Sequence, residues 1–189
     1  MEKLNKEIKS DSERLEELLD EAFELREKGQ YEQSNELFGV IYKHFPDQHQ
    51  CLLQQAFNAM LETRPSQYVK YANEFLKIPR DQRKAIGDDL LLSFYHNLGV
   101  AYMMIEASGR SEELQLKAYR SFQWALELSC EPKTLLCIGE LAMMRGKKER
   151  GTQYLELAAE MGEERAAEIL ESQTFNSDKI EILISAGNG

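Results

Sequence analysis

Apolar residues recur along this chain at intervals of three and four, the period of one face of a helix, and the runs stop at regular places. Leu15, Leu18, Ala22 and Leu25 form one stripe, which ends at Lys28-Gly29-Gln30. A second starts at Tyr31 and carries Phe38 before Pro46 closes it. Tyr95, Leu98, Gly99 and Tyr102 repeat the first stripe, and Ala118, Phe122 and Ala125 repeat the second. Leu135, Ile138, Gly139 and Ala142, then Leu155 and Ala158, give another pair around Gly146. The pattern predicts paired helices joined by short turns.

Boundary residues agree with that reading. Ser10-Asp-Ser-Glu13 has the form of a capping box and predicts a helix start near residue 11. Pro46, Pro65, Pro79 and Pro132 all fall at predicted helix ends, where proline neither breaks a helical hydrogen bond nor clashes with the turn before it. The expected hairpins cover 11–48, 49–79, 81–131 and 132–162, followed by a capping helix over 163–172. In the second hairpin the turn Thr63-Arg-Pro-Ser66 stands where a glycine is expected, and residues 81–107 read as one long helix. The tail, 173–189, leaves the helical pattern. Its segment Lys179-Ile-Glu-Ile-Leu-Ile184 is β-prone and apolar, so it is expected to dock on the last helices or on a neighbouring copy; a disordered terminus is the alternative.

In order and spacing, Gly29, Tyr31, Phe38 and Pro46 resemble the tetratricopeptide repeat, a helix–turn–helix unit of about 34 residues. The copies built on Tyr95–Tyr102 and on Leu135–Gly146 match the same signature positions. The resemblance implies an all-α, right-handed helical-hairpin solenoid of about four repeats plus a capping helix, forming one domain over 1–172. Such solenoids accept insertions because each repeat contacts only its neighbours. The ending Leu157-Ala-Ala-Glu-Met-Gly162 resembles the SEL-type subclass of these repeats. The chain is also loosely similar to the small helical-repeat chaperones of type III secretion translocators, with Cys130-Glu-Pro132 entering the last hairpin as theirs does.

Composition narrows the partners. A length of 189 residues fits one domain, and 42% apolar with 30% charged residues describes a folding, helix-favouring chain. The net charge of −10 argues against nonspecific nucleic-acid or anionic-membrane binding. No apolar run nears the roughly 18 residues a bilayer span requires, and Met1-Glu-Lys-Leu-Asn-Lys-Glu lacks the apolar segment of a secretory signal. Cys51, Cys130 and Cys137 are odd in number and form no Cys-x-x-Cys pair, which suits a reducing, cytoplasmic location.

Catalytic chemistry finds little purchase. There is no phosphate-binding glycine loop. His44 and His49 lack the i, i+4 spacing of a helical metal pair, so no metal and no cofactor is implied. Cys51 lies two residues from His49, a spacing that faces the two side chains apart on a helix. Pairs such as Glu16-Glu17, Glu112-Glu113 and Glu163-Glu164 sit in first turns, where they complement the helix dipole. The chain is expected not to be an enzyme.

The resemblance implies a concave face lined by positions 2, 5, 9, 12 and 13 of each first helix. Read onto this sequence, the groove holds Leu19, Phe23, Leu53, Phe57, Met60, His96, Val100, Met103, Met104, Leu136, Met143 and Met144. Met103-Met104 and Met143-Met144 stand at positions 12 and 13, as do Met60-Leu61, while the first repeat has Arg26-Glu27 there. Apart from Arg26, Glu27, Glu140 and His96 the face is apolar, and methionines repack cheaply around variable partners. A subgroup of the family clamps acidic peptide tails with a basic residue and an asparagine where this chain has Leu19 and Phe23, so that mode is not expected. The expected function is a non-catalytic protein-interaction module, an adaptor or dedicated chaperone holding an apolar peptide. Alternatives are a structural subunit that assembles with itself, as in a homodimer, or a larger complex through the same face, and a secretion-translocator chaperone. A further alternative is that the methionines are simply buried.

Overall fold

Each apolar stripe becomes a helix, and consecutive helices pair. The computed structural model describes residues 11–107 and 111–172. Its helices run α1 (Asp11–Glu27), α2 (Tyr31–His44), α3 (Gln50–Leu61), α4 (Pro65–Leu76), α5 (Arg80–Lys84), α6 (Asp88–Glu106), α7 (Glu112–Leu128), α8 (Pro132–Met144) and α9 (Lys148–Glu160). Residues 164–172 are also helical and are called α10. The helices of α1–α2, α3–α4, α6–α7 and α8–α9 pack on one another as hairpins. The second helix of each then leans on the first helix of the next: α2 on α3, α4 on α6, and α7 on α8. This is an all-α hairpin solenoid with no strand among the described residues.

Four helices end in one and the same turn. Gly29, Thr63, Gly146 and Gly162 have φ of 73°, 58°, 73° and 92°, the left-handed region that lets the chain reverse out of a helix. In each, the next residue's N–H reaches five residues back, as from Arg64 to the Ala59 carbonyl (2.8 Å) and from Lys147 to that of Ala142 (2.9 Å). These bonds satisfy carbonyls that a helix end leaves open. Thr63 adopts the glycine conformation at a steric cost of about 1–2 kcal/mol, because its Cβ crowds the backbone there. The sequence substitution therefore leaves the geometry intact.

The expectation of a single helix over 81–107 is corrected. The chain breaks between α5 and α6 at Ala85-Ile86-Gly87, with Gly87 at φ 106°, a value a right-handed helix excludes. The break lets Ile86 pack against the main core, while Asp88 and Asp89 take the favourable first turn of α6. The short α5 is thus an insertion between the second and third hairpins.

The largest apolar core runs through α3, α4, α6, α7 and α8. At its centre Phe94 is fully buried, with its ring 4.8 Å from that of Phe75 and 6.2 Å from that of Tyr68. The Tyr68 hydroxyl, also buried, donates to the Phe94 carbonyl at 2.8 Å. Gly99 lets α6 and α7 close on each other: a Cβ there would lie 2.5 Å from the Phe122 ring. A smaller core of Leu135, Leu136, Leu155, Ala158 and Ala166 joins α8 and α9 to α10. Ala22, Phe38, Ile41 and Cys51 form a third where α1, α2 and α3 meet.

Beside this third core lies a buried polar junction. The Asn58 amide is fully buried and donates to Ser34 Oγ and Asn35 Oδ1, each at 2.9 Å. Ser34 in turn donates to the Ala22 carbonyl at 2.8 Å, and Gln55 to the Asn35 carbonyl at 2.8 Å. Arg26 completes it, donating through Nε to Asn58 Oδ1 and through Nη2 to the Gln54 carbonyl. Three helices are thereby tied by directional bonds in a place too dry to leave such groups unpaired. Both the Ser10 cap and the 173–189 tail lie outside the described residues.

Candidate interaction surface

Consecutive residues on a helix point about 100° apart, so positions 12 and 13 of a first helix cannot share a face. The structure sorts them consistently. At position 12, Met60 and Met103 are half-buried against the main core, and Met143 against that of the last hairpin. Met143 is wedged into the place a side chain would occupy at residue 151: a Cβ on Gly151 would lie 2.5 Å from its sulfur. Arg26 obeys the same rule with different chemistry, its guanidinium lying 5.4 Å from the Phe23 ring centre and 5.5 Å from that of Phe38. Position 13 points out. Leu61, Met104 and Met144 are 56%, 36% and 57% exposed at the ends of α3, α6 and α8.

The expected groove is accordingly redrawn. Leu53 is fully buried and Leu136 nearly so, which makes them core residues and removes them from any surface. Leu19, Phe57 and Val100 are half-buried, packed against the core clusters as shoulders of the first-helix layer. Phe23 is exposed on one side and meets Phe38 edge-on at 5.4 Å on the other. Leu61, read at position 13 of the face beside Met60, is exposed there just as Met104 and Met144 are. The signal for it was its position-13 register, which outranks residue type.

The layer is also less uniformly apolar than expected. His96 bonds Thr134 Oγ1 at 2.9 Å and lies against the Phe122 ring. Around it Asp89, Ser93, Asn97, Glu131 and Lys133 line a polar cleft of about 360 Å³ between α6 and α8. Burial, followed by the charge of Lys133, pushes the His96 imidazolium below its ordinary range, with Glu131 opposing. The neutral ring therefore prevails at pH 7. The apolar residues gather at the opposite, turn-bearing ends of the same helices.

Burial pushes the thiols of Cys51 and Cys137 up to about 11, so both stay protonated at neutral pH. Cys130 is exposed. Among the described residues no three metal-ligating side chains converge, and no helix is long and apolar enough to cross a membrane.

No family model matches the chain, and no curated protein matches it. Solved structures do. A structure described as MamA protein superposes over 89% of this chain and 94% of its own, at a TM-score of 0.63 and 16% identity. MamA from Desulfovibrio magneticus RS-1 covers 80% of this chain and 76% of its own, at 0.59 and 16%. TTC0263, a thermophilic TPR protein of Thermus thermophilus, covers 79% and 75%, at 0.54 and 16%. At such identities these likenesses establish the fold alone, and they lend no support to the SEL-type or secretion-chaperone resemblances. Hairpin order, shared turns and structural likeness agree that this chain has the tetratricopeptide-repeat fold.

Proposed function

We propose that this protein is a non-catalytic interaction module of the cytoplasm, an adaptor or dedicated chaperone, that holds an apolar peptide segment along its first-helix layer. One observation carries the reading. Leu61, Met104 and Met144 hold the same repeat position in three successive hairpins and are all exposed, a recurrence that packing does not require. Phe23 extends the row, with Phe57, Met60, Val100 and Met103 beneath it. Each such side chain, once covered, contributes about 1.5–3 kcal/mol before ordering costs. An exposed apolar row rimmed by polar residues is the usual mark of a protein contact.

The test is the triple variant Leu61→Glu, Met104→Glu, Met144→Glu, assayed on an array of short peptides. All three side chains lie outside the core, so helicity and melting stay near those of the parent. Binding to apolar peptides is expected to vanish. Unchanged capture would remove the row from the site. Light scattering addresses the assembly alternative: a concentration-independent oligomer dissolved by the same three substitutions would make the row a subunit interface instead.

A further inference from the structure

We propose a second binding site that shares no residue with the first-helix row: a basic, aromatic-floored cleft that takes an acidic peptide segment bearing a bulky apolar residue. It is built by the inserted helix α5. Leu76 of α4, Leu91 and Tyr95 of α6, and Trp124 and Leu128 of α7 form its apolar walls, and Arg80, Arg83 and Lys84 of α5 close one end. The space is about 440 Å³, enough for one large side chain with its flanking backbone.

Three features point to an anionic ligand with an apolar anchor. First, the cations are unspent. Lys28, Lys77 and Lys117 each hold a carboxylate within 3.0 Å, whereas Arg80, Arg83 and Lys84 have no carboxylate partner among the described residues. Glu127 lines the cleft and Asp81 shares α5, so the local balance stays positive in a chain of net charge −10.

Second, Arg83 is pre-organised. Its Nε donates to the Ile78 carbonyl at 3.0 Å and its Nη1 to the Tyr95 hydroxyl at 3.0 Å, which fixes the guanidinium plane. The remaining N–H groups face no acceptor among the described residues, and an ordered guanidinium loses little entropy on taking a carboxylate.

Third, Trp124 is 40% exposed beside these charges, its ring 5.4 Å from that of Tyr95. An aromatic surface left in water next to paired cations suits a side chain that stacks while its neighbouring carboxylates are neutralised. Peptide is favoured over nucleic acid because the chain's net charge of −10 opposes a long polyanion, whereas a short acidic segment meets the local cations and is screened from charges beyond about 10 Å.

Trp124 is the chain's single tryptophan, so its emission reads occupancy directly. The full chain is titrated with a capped hexapeptide in which four glutamates flank a phenylalanine–leucine pair. A saturable change in emission is expected, weakened about tenfold or more by Arg80→Glu with Lys84→Glu. Both residues are exposed, so the fold is retained. The same peptide with lysines for glutamates, and inorganic phosphate alone, should leave the emission unchanged. Leu61→Glu, Met104→Glu, Met144→Glu should bind the acidic hexapeptide like the parent, which separates this site from the first-helix row. Equal responses to the acidic and basic peptides, undiminished binding in the Arg80/Lys84 variant, or tighter binding of a short single-stranded DNA would each overturn the proposal.

Discussion

Where α1, α2 and α3 meet, a small apolar core is flanked by a buried polar network, with Asn58 bonded to Ser34, Asn35 and Arg26. Where α4 meets α6, they are aromatic, with Phe94 against Phe75 and Tyr68. Both junctions join one hairpin to the next in the same solenoid. The aromatic one is held by area, which is strong and tolerant of small shifts. The polar one is held by direction, which adds little net stability but penalises any other arrangement, because a misplaced partner leaves buried groups unsatisfied. The difference teaches that one repeat position can serve either end: at position 12, methionine packs while Arg26 bonds.

The largest effect is expected at the aromatic junction. Phe94→Ala should cost about 3–5 kcal/mol, the usual loss for a buried phenylalanine, and should lower the melting temperature of the central hairpins by calorimetry. Asn58→Ala should cost about 2–3 kcal/mol, since it removes a bond from each of Arg26, Ser34 and Asn35 in a buried place. Its effect should be local: amide exchange should quicken across α1 and α2 and stay unchanged across α8 and α9. Acceleration everywhere would show that the two junctions are one cooperative unit, and the contrast drawn above would fail.

Thr63 lies on the link between the two regions, and Thr63→Gly should stabilise by about 0.5–1 kcal/mol. Relief of left-handed strain there exceeds the extra chain entropy that glycine loses on folding. Lower stability in urea denaturation would mean that the threonine side chain contributes contacts of its own.

The smallest expected effect separates the regions by pH. His96 has a folded pKa below its ordinary 6.5, so the unfolded chain binds the proton more readily. Stability from this group is full above pH 6.5 and is lost as pH falls through the folded value. His96→Asn should flatten that slope between pH 7 and 5. The polar junction should be indifferent over this range, because its one ionisable member, Arg26, stays charged. A slope unchanged in the His96 variant would locate the acid sensitivity elsewhere.

Much of the fold was legible because its boundaries are local. Pro65 and Pro132 open α4 and α8 at their first residues, and Gly29 and Gly146 close α1 and α8 through backbone conformations that other residues resist. The break at Gly87 was less legible because Arg80-Asp-Gln-Arg-Lys84 carries no apolar residue whose phase could be set against that of α6. Only the packing of Ile86 reveals which way the chain turns. The interaction surface was half legible. Register placed the apolar row on the first helices, yet composition could not say that Met143 faces Gly151 while Met144 faces water. That choice depends on the rotation of α8 about its axis, set by its contact with α9. The cleft at Arg83 and Trp124 was not legible, because its walls are gathered from residues 76 to 128 by tertiary packing.

The division of the interior into one large core and two small end cores also bears on how the molecule yields to force. Each end core is a handful of side chains: Ala22, Phe38, Ile41 and Cys51 at one end, Leu135, Leu136, Leu155, Ala158 and Ala166 at the other. Traction on the termini loads these first, and in a solenoid a lost repeat removes only its neighbour's support. The first hairpin, which lends only the half-buried Tyr42 to the large core, is thus expected to be shed before the last, whose α8 places Ile138 and Leu141 in that core.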